Sequence, residues 1–324
     1  MELARIVGPV RSDLNIFEDK FLRTLETKVE LLNTVIRYVA RHKGKRLRPG
    51  LFFLIARLRG NMDEQGYEAA LIIELIHTAT LIHDDVVDQS EMRRGTASVH
   101  SVWNNKIAVL VGDFLFAQAL NKMMDLESPA INRVLAKVTT RMSEGELLQV
   151  QQSQSLHIEE DVYFRMISDK TASLISASCQ IGSIVGSKYD GNDGDQFWRF
   201  GNYLGCAFQI QDDLLDYIGD EEITGKPAGN DLKQNKVTLP LIYALSRNGR
   251  TDPQKLRELV SHAKSPKQLR EIRDLVIDSG GVDYARERAN DFIEKAMDIL
   301  ASFADSEYKR SLEEMGQYVA IRSS

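Results

Sequence analysis

The chain has few cysteines, no excess of positive charge and few long apolar runs, and each shortage argues against a class of protein. Its 324 residues include two cysteines, Cys179 and Cys206, which are too few for a disulfide framework, so a reducing, cytoplasmic setting is expected. Lysine and arginine number 41 against 47 aspartates and glutamates, and the net charge is -6. Because binding to a phosphate backbone needs a basic face, no nucleic-acid partner is expected.

Long apolar runs are also missing. The best candidate is interrupted by Glu74, His77, His83 and Asp84, so no membrane-spanning segment is expected. The N-terminal segment lacks the basic and apolar regions of a signal peptide. Hydrophobic residues make up 43% of the chain, which is enough for a substantial core. We therefore expect a soluble protein.

No stretch alternates apolar and polar residues between turn signals, so no sheet is predicted. Apolar residues instead recur every three or four positions, as in amphipathic helices. This spacing predicts helices over residues 14–39, a second ending near 59, then 68–88, 101–125, 129–152, 160–186, 193–218, 236–247, 253–262, 266–278, 282–302 and 306–320. The predicted fold is a single all-α domain, residues 1–324, with a core of central helices.

Two aspartate clusters, residues 84–88 (DDVVD) and 212–216 (DDLLD), each end an apolar helical run. The first and last aspartates of each cluster are four residues apart, so they share one face of a helix. One such cluster alone is as consistent with a solvated helix end as with a metal site. Two of them favour a metal site, and carboxylates suit Mg²⁺. If the two faces point at each other, they line an acidic mouth that metal ions and a diphosphate would neutralise.

Basic residues lie close to these clusters in the sequence. Lys45 and Arg48 belong to a basic run, residues 41–49, and Arg93 and Arg94 follow the first cluster. The overall acidity of the chain argues against nucleic acid as the partner of the basic run. Arginine suits phosphate oxygens because its planar group donates two hydrogen bonds at once. Arg93 and Arg94 can equally form ordinary surface ion pairs.

His77 precedes Asp84 by seven residues, which places both on the same helix face. A lone helical histidine is more often structural, and only this alignment favours a ligand contact. Lys170, Lys226 and Lys236 would each be interpreted singly as surface residues. Together they provide the positive charge that the carboxylates require.

Several segments follow one another in a characteristic order: GKRLRP (44–49), LIHDDVVD (81–88), MRRG (92–95), DKTA (169–172), FQIQDDLLD (208–216) and GKPAGNDLKQNKVTLPL (225–241). With this set the chain resembles the trans-type polyprenyl diphosphate synthases, in particular the long-chain enzymes that make quinone side chains. The resemblance covers about residues 40–240. It implies an all-α isoprenoid-synthase bundle around a central active-site cavity, a homodimer, and three Mg²⁺ ions per site.

The resemblance also implies residue roles. Direct metal ligands would be Asp84, Asp88 and Asp212, while Asp85, Asp213 and Asp216 would act through water or support them. Contacts to the allylic diphosphate would come from Arg93, Lys170, Thr171, Gln209, Lys226 and Lys236. The isopentenyl diphosphate site would hold Lys45, Arg48, His77 and Arg94, with Phe208 nearby. The catalytic set would be Asp84, Asp88, Asp212, Arg93, Lys170 and Lys226.

The expected reaction begins with a primer, farnesyl or geranylgeranyl diphosphate. Its allylic C–O bond breaks heterolytically while metal ions and basic groups stabilise the leaving diphosphate. The double bond of isopentenyl diphosphate then attacks the allylic cation, and loss of a proton restores an alkene. Ala79 and Thr80, about one turn before Asp84, are small and would leave a path for chain growth, or they only permit close helix packing. The resemblance favours a product of about C40–C50.

Three other functions compete with this interpretation. A class I terpene cyclase shares the first cluster, but its second site normally has an Asn/Ser/Glu pattern and it needs no isopentenyl diphosphate site. A non-catalytic subunit of a heteromeric prenyl synthase would typically lose aspartates or basic residues that are present here. A metal-storage or calcium-binding helical protein would not need so many cations beside its carboxylates.

Overall fold

The computed structural model describes residues 2–41, 44–93, 95–153, 159–188, 194–218, 232, 236–246, 253–262 and 265–321. Its helices are α1 (Leu3–Ile6), α2 (Arg11–Thr24), α3 (Glu30–Arg41), α4 (Leu47–Arg59), α5 (Glu64–Val87), α6 (Val99–Trp103), α7 (Asn105–Asp125), α8 (Pro129–Ser153), α9 (Glu160–Ile167), α10 (Ser173–Gly186), α11 (Gly194–Ile218), α12 (Leu239–Ser246), α13 (Pro253–His262), α14 (Pro266–Asp278), α15 (Gly281–Ala301) and α16 (Glu307–Ile321). A 3₁₀ turn covers Gly8–Val10, a π-helical segment covers Ser168–Ala172, and β1 (Met92–Arg93) pairs antiparallel with β2 (Thr96–Ala97).

The chain forms two compact units. The first comprises residues 1–139, 174–198 and 303–314, and the second comprises residues 140–173, 199–302 and 315–324. Both units are built from helices, which confirms the predicted all-α class.

α5 is the central helix of the first unit. Its residues from Ala69 to Ile76 are almost completely buried, as expected for a helix that is apolar on nearly every face. It packs against α2, α4, α6 and α7. The carboxylate of Asp63 caps its N-terminus by accepting from the backbone N–H of Gly66 at 2.9 Å, a preferred arrangement at helix starts. The core thus fixes the helix that ends in the first aspartate cluster.

The core of the second unit gathers side chains from α9, α11 and α12 with those of α13 to α15. Tyr163 of α9 and Leu214 of α11 are fully buried. α12 packs against α15, where a Cβ on Gly281 would lie 2.3 Å from the carbonyl oxygen of Pro240. Glycine is therefore required at this close approach. This core fixes α11, the helix that carries the second aspartate cluster.

Several predicted helices are confirmed closely, and α13 and α14 have the predicted bounds. The predicted helix over residues 14–39 is wrong, because α2 ends at Thr24 and α3 begins at Glu30. The side chain of Asn33 closes the loop between them: it accepts from the N–H of Thr27 at 3.1 Å and donates to the carbonyl of Thr27 at 2.5 Å. A local side-chain turn of this kind competes with helix formation.

Two more predicted helices are interrupted. The run over residues 101–125 breaks at Asn104, whose φ is 118° and whose side chain caps α7 by accepting from the N–H of Ile107. The run over residues 160–186 contains the π-helical segment, which a period of 3.6 residues does not reveal. The hairpin of β1 and β2 was not predicted; its turn uses Gly95 at a φ of 76°.

Among the described residues, one helix is long and apolar enough to cross a membrane by length and composition. It is α7, and 28% of that stretch is buried. The expectation that no apolar run reaches this length is therefore wrong for α7. A single such helix is weak support for membrane insertion, since core helices of soluble proteins can have the same length and apolar composition.

Candidate active site

The first aspartate cluster forms the C-terminal end of α5. Asp84 and Asp88 are half-buried, whereas Asp85 is only 3% exposed. A buried carboxylate needs hydrogen-bond donors, and Arg93 of β1 supplies them to Oδ1 of Asp85 from Nε at 2.8 Å and from a terminal nitrogen at 2.5 Å. The middle aspartate therefore orients Arg93, while the outer two stay partly accessible to solvent.

The second cluster lies near the C-terminal end of α11 and has the same division. Asp212 is exposed and Asp216 is half-buried, whereas Asp213 is 7% exposed. Asp213 accepts from the hydroxyl of Tyr163 at 2.7 Å and from the amide nitrogen of Gln209 at 2.8 Å. Each cluster thus has one buried, hydrogen-bonded carboxylate between two more accessible ones.

Gln209 connects the second cluster to the π-helical segment. Its amide oxygen accepts from the hydroxyl of Thr171 at 2.8 Å, while its nitrogen donates to Asp213. π-Helical turns are rare and are frequently found at functional sites. Within the second unit, the structure therefore places three predicted residues, Thr171, Gln209 and Asp213, in one hydrogen-bonded chain.

Lys170 lies beside Thr171 in the same segment and contacts α8. Its ammonium group pairs with Glu146 at 2.5 Å and donates to the amide oxygen of Gln149 at 3.1 Å. Sequence reasoning missed both α8 residues. Their three-residue spacing on a predicted helix was visible, but nothing in the sequence indicated that this helix face meets residues 168–172.

In the first unit, the predicted isopentenyl diphosphate contacts Arg48 and His77 lie together. A guanidinium nitrogen of Arg48 is 2.9 Å from Nε2 of His77. Because a guanidinium group can only donate, Nε2 of His77 is the acceptor in this contact. Lys45 is exposed near the start of α4. The structure thus brings His77 and Arg48 into direct contact.

Arg46, between these predicted contacts, has a structural environment that the sequence did not reveal. Its guanidinium group pairs with Glu74 and, at 2.5 Å, with Glu18, and it lies 4.9 Å from the ring centre of Phe21. Burial alone would lower the pKa of Arg46, but the charge of Glu74 and the hydrogen bond to Glu18 outweigh it and raise the pKa. Its φ of 53° is left-handed, so these pairs hold a strained turn at the start of α4.

The remaining predicted residues that the structure describes differ in their burial. Phe208 on α11 and Lys236 just before α12 are both half-buried. Arg94 and Lys226 lie outside the described residues. Ala79 is fully buried in α5, and Thr80 is half-buried with its hydroxyl donating to the carbonyl of His77 at 2.9 Å.

A pocket in the first unit borders the predicted site. Arg46, Glu74, His77, Asp85 and Arg93 lie along it with apolar side chains of α2, α3, α5 and α7. The arginines in its wall are already paired with carboxylates. The pocket lining therefore combines paired charged groups with apolar side chains.

The described residues contain no group of three or more His, Cys, Asp or Glu side chains that could hold a metal ion. The chemistry of the two clusters nevertheless fits Mg²⁺. Each offers two carboxylates four residues apart that are more accessible than the one between them, and Mg²⁺ prefers such oxygen ligands while keeping several waters and substrate phosphates. A complete set of ligands from the protein is therefore not required.

Comparison with known proteins identifies relatives along nearly the whole chain. The all-trans-nonaprenyl-diphosphate synthase (geranyl-diphosphate specific) of Rhodobacter capsulatus is 35% identical over 308 residues, covering 95% of this chain and 94% of that protein. The octaprenyl diphosphate synthase of Escherichia coli is 35% identical, covering 96% of each. Heptaprenyl diphosphate synthase component 2 of Geobacillus stearothermophilus is 32% identical, covering 99% of each.

A solved structure shows the same fold. The polyprenyl synthase of Caulobacter crescentus, in complex with calcium and isoprenyl diphosphate, superposes with a TM-score of 0.92 at 34% identity, covering 99% of this chain and 98% of that one. The fold is therefore the all-α isoprenoid-synthase fold, which confirms the expected class of protein. The sequence profile described as "Polyprenyl synthetase" matches residues 29–276. The chain belongs to the polyprenyl synthetase family and is a prenyltransferase, as the resemblance predicted.

Proposed function

We propose that this protein condenses isopentenyl diphosphate with an allylic diphosphate primer and releases an all-trans polyprenyl diphosphate. Farnesyl and geranylgeranyl diphosphate are the primers that we expect it to accept. Residues 1–324 would act as one polyprenyl synthase domain, which is supported by a family profile that extends over residues of both compact units.

The observation that carries the proposal is the matching division within the two aspartate clusters. Asp85 and Asp213 are buried and hydrogen-bonded, while the outer aspartates are more accessible. We propose that Asp84, Asp88 and Asp212 bind Mg²⁺ directly, that Asp216 assists through water, and that the middle aspartates hold neighbouring groups in place. When bound, three Mg²⁺ ions would neutralise charge on the diphosphate as it leaves the primer.

The basic residues would divide between the two substrates. Arg93, Lys170 and Lys236, with Lys226, would donate hydrogen bonds to the allylic diphosphate and stabilise the charge that develops on it. Lys45, Arg48 and Arg94 would hold isopentenyl diphosphate, with His77 and Phe208 beside it. The C–O bond would break with its electron pair leaving on the diphosphate. The double bond of isopentenyl diphosphate would then attack the allylic cation, and loss of a proton to the released diphosphate would restore an alkene. The Arg48–His77 contact supports this grouping.

A long product, of about C40–C50 for quinone side chains, is supported by the octaprenyl and nonaprenyl products in the names of two relatives. A small residue at position 79 is compatible with it, since Ala79 adds no bulk to α5 one turn before the metal ligands. We propose that Ala79 and Thr80 leave the path of the growing chain open.

The test is a reaction of the purified protein with radiolabelled isopentenyl diphosphate and primers of several lengths, with Mg²⁺ or with a chelator. Asp84→Ala and Asp212→Ala should each lower turnover by about a hundredfold or more. Asp278→Ala, which removes an exposed aspartate from the end of α14, is the matched control and should keep full activity. Turnover that persists in both cluster variants would refute the proposal. Cyclic hydrocarbons formed without isopentenyl diphosphate would instead indicate a terpene cyclase.

We further propose a homodimer in which α7 of one copy packs against the second copy. Leu110, Leu120 and Met124 are 54%, 60% and 85% exposed on one apolar helix. Leaving such side chains in water is unfavourable, and apolar surface of this kind marks an interaction site.

A subunit role in a heteromeric synthase is the second candidate, because one relative is named as component 2 of a heptaprenyl diphosphate synthase. The two candidates differ in what the purified chain does alone. A homodimeric enzyme forms product without any other protein, whereas a subunit of a heteromer needs its partner.

We also propose a cytoplasmic location. Cys179 and Cys206 are free and buried, and burial raises the pKa of the Cys206 thiol to about 12. Unpaired thiols of this kind suit a reducing compartment.

A further inference from the structure

The π-helical segment Ser168–Ala172 is held against one face of α8. The carboxylate of Asp169 accepts from Nε of Arg141 at 2.7 Å and is 7% exposed. A Cβ on Gly145 would lie 2.5 Å from the backbone nitrogen of Lys170. The two backbones therefore touch, and contacts at Asp169 and at the backbone of Lys170 fix the position of the segment relative to α8.

Two polar side chains of the same α8 face reach Lys170. Glu146 pairs with its ammonium group at 2.5 Å, and the amide oxygen of Gln149 accepts from it at 3.1 Å. An ammonium group has three N–H donors, so these acceptors use two of them. The ammonium group is tetrahedral, so once two of its three N–H bonds point at these acceptors, the direction of the third is also fixed.

The carboxylate of Glu146 also needs Lys170 to compensate its charge. Its other carboxylate oxygen is buried and has no hydrogen-bond partner among the described residues. A buried carboxylate without compensation is costly, and Lys170 is the cation paired with it. Exposed fractions of 19% and 20% for the two side chains leave limited freedom for either to swing into solvent.

We propose that Glu146 and Gln149 are positioning residues that direct the third N–H of Lys170 towards the diphosphate of the allylic substrate. This inference rests on the proposed function, in which Lys170 contacts that diphosphate. Holding the donor ready avoids reorganisation when charge develops on the leaving group. The same arrangement keeps the lysine charge compensated before substrate arrives.

The experiment measures kcat and the KM of each substrate for Glu146→Ala, Glu146→Gln and Gln149→Ala. Glu146→Ala should lower kcat/KM for the allylic primer about tenfold and leave the KM of isopentenyl diphosphate unchanged, because a loosely held catalytic group loses orientation. Glu146→Gln keeps an oxygen acceptor for Lys170 and should lose less than about threefold. Glu144→Ala, an exposed neighbour on α8, is the matched control.

A double-mutant cycle with Lys170→Met separates positioning from general destabilisation. If Glu146 acts through Lys170, then Glu146→Ala should change nothing further in the Lys170→Met background. Additive losses would overturn the proposal, and so would Glu146 variants that bind primer more tightly than the wild type. If Glu146→Ala does not fold, judged by circular dichroism, Gln149→Ala decides, with an expected loss of about threefold. Wild-type protein without any condensation activity would refute the proposed function itself, which is a different result.

Discussion

A buried carboxylate, that of Asp13, joins α2, α4 and α5 in the first unit. It is 2% exposed and accepts from two nitrogens of Arg57, at 3.0 and 2.7 Å, and from the hydroxyl of Tyr67 at 2.6 Å. Burial first, and then the hydrogen bond to Asp13, raise the pKa of Tyr67 to about 12. The pKa of Arg57 is also raised, chiefly by its hydrogen bond to Asp13.

The raised pKa of Tyr67 predicts a pH-dependent stability. An unfolded tyrosine ionises near pH 10, so between about pH 10 and pH 12 the unfolded chain releases a proton that the folded protein retains. The stability from Tyr67 is therefore complete below pH 10 and is lost towards pH 12, by on the order of 2 kcal/mol. Tyr67→Phe should be about 1 kcal/mol less stable than the wild type at pH 8, with a smaller difference at pH 11. Urea unfolding at both pH values measures this, and a constant difference would contradict it.

Product length is also controlled at the residue scale. Ala79→Tyr should shorten the product to about C15 or C20, because an aromatic ring about one helical pitch, roughly 5 Å, from the aspartates would end the growing chain. Product size from purified variant protein is the measurement, and an unchanged product ladder would contradict the prediction. Ala79 is fully buried, so the melting temperature is measured in parallel. Overpacking alone lowers it without shortening the product.

At the scale of elements, hydrophobic periodicity predicts helix bounds correctly where it continues without a break. The prediction fails where one side chain or backbone turn interrupts the helix. α13 and α14 were predicted with their bounds because nothing breaks their apolar spacing. The loop after α2 depends on Asn33, and the break before α7 depends on Asn104. The π-helical segment lies in contact with α8. Asparagine side chains and tertiary contacts do not change the spacing of apolar residues. The spacing therefore could not predict these three interruptions.

The close approach between α8 and the π-helical segment predicts a cost for any side chain at Gly145. Gly145→Ala places a Cβ 2.5 Å from a backbone nitrogen and 2.9 Å from a Cα of Lys170, so one backbone must shift. We expect a loss of about 1–3 kcal/mol in the free energy of unfolding and a higher KM for the primer. Gly8→Ala is the control because its Cβ would meet nothing within 4 Å. Equal stability of the two variants would show that the segment moves without cost.

For the molecule as a whole, the motifs identified the family, but the sequence could not give the partners of each charged group. Arg93 and Lys170 were predicted as cations available to a diphosphate, and both are paired with carboxylates in the structure. Arg46 was not predicted to matter, yet it pairs with Glu18 and Glu74. Partners that are distant in sequence are set by packing, which no motif encodes. The pairs of Arg93 with Asp85 and of Lys170 with Glu146 could therefore be found only in the structure.

The exposed apolar side of α7 makes a prediction about assembly. Leu110→Glu combined with Leu120→Glu places two charges on a surface that we propose is buried between two copies, so the variant should sediment as a monomer where the wild type is a dimer. Burying an unpaired charge costs several kcal/mol, enough to dissociate a micromolar complex. Ile277→Glu on α14, where the side chain is 38% exposed, is the matched control and should stay dimeric. Sedimentation velocity distinguishes these outcomes. A wild type that is monomeric, and that floats with lipid vesicles only while Leu110 and Leu120 are present, would assign the same surface to a membrane instead.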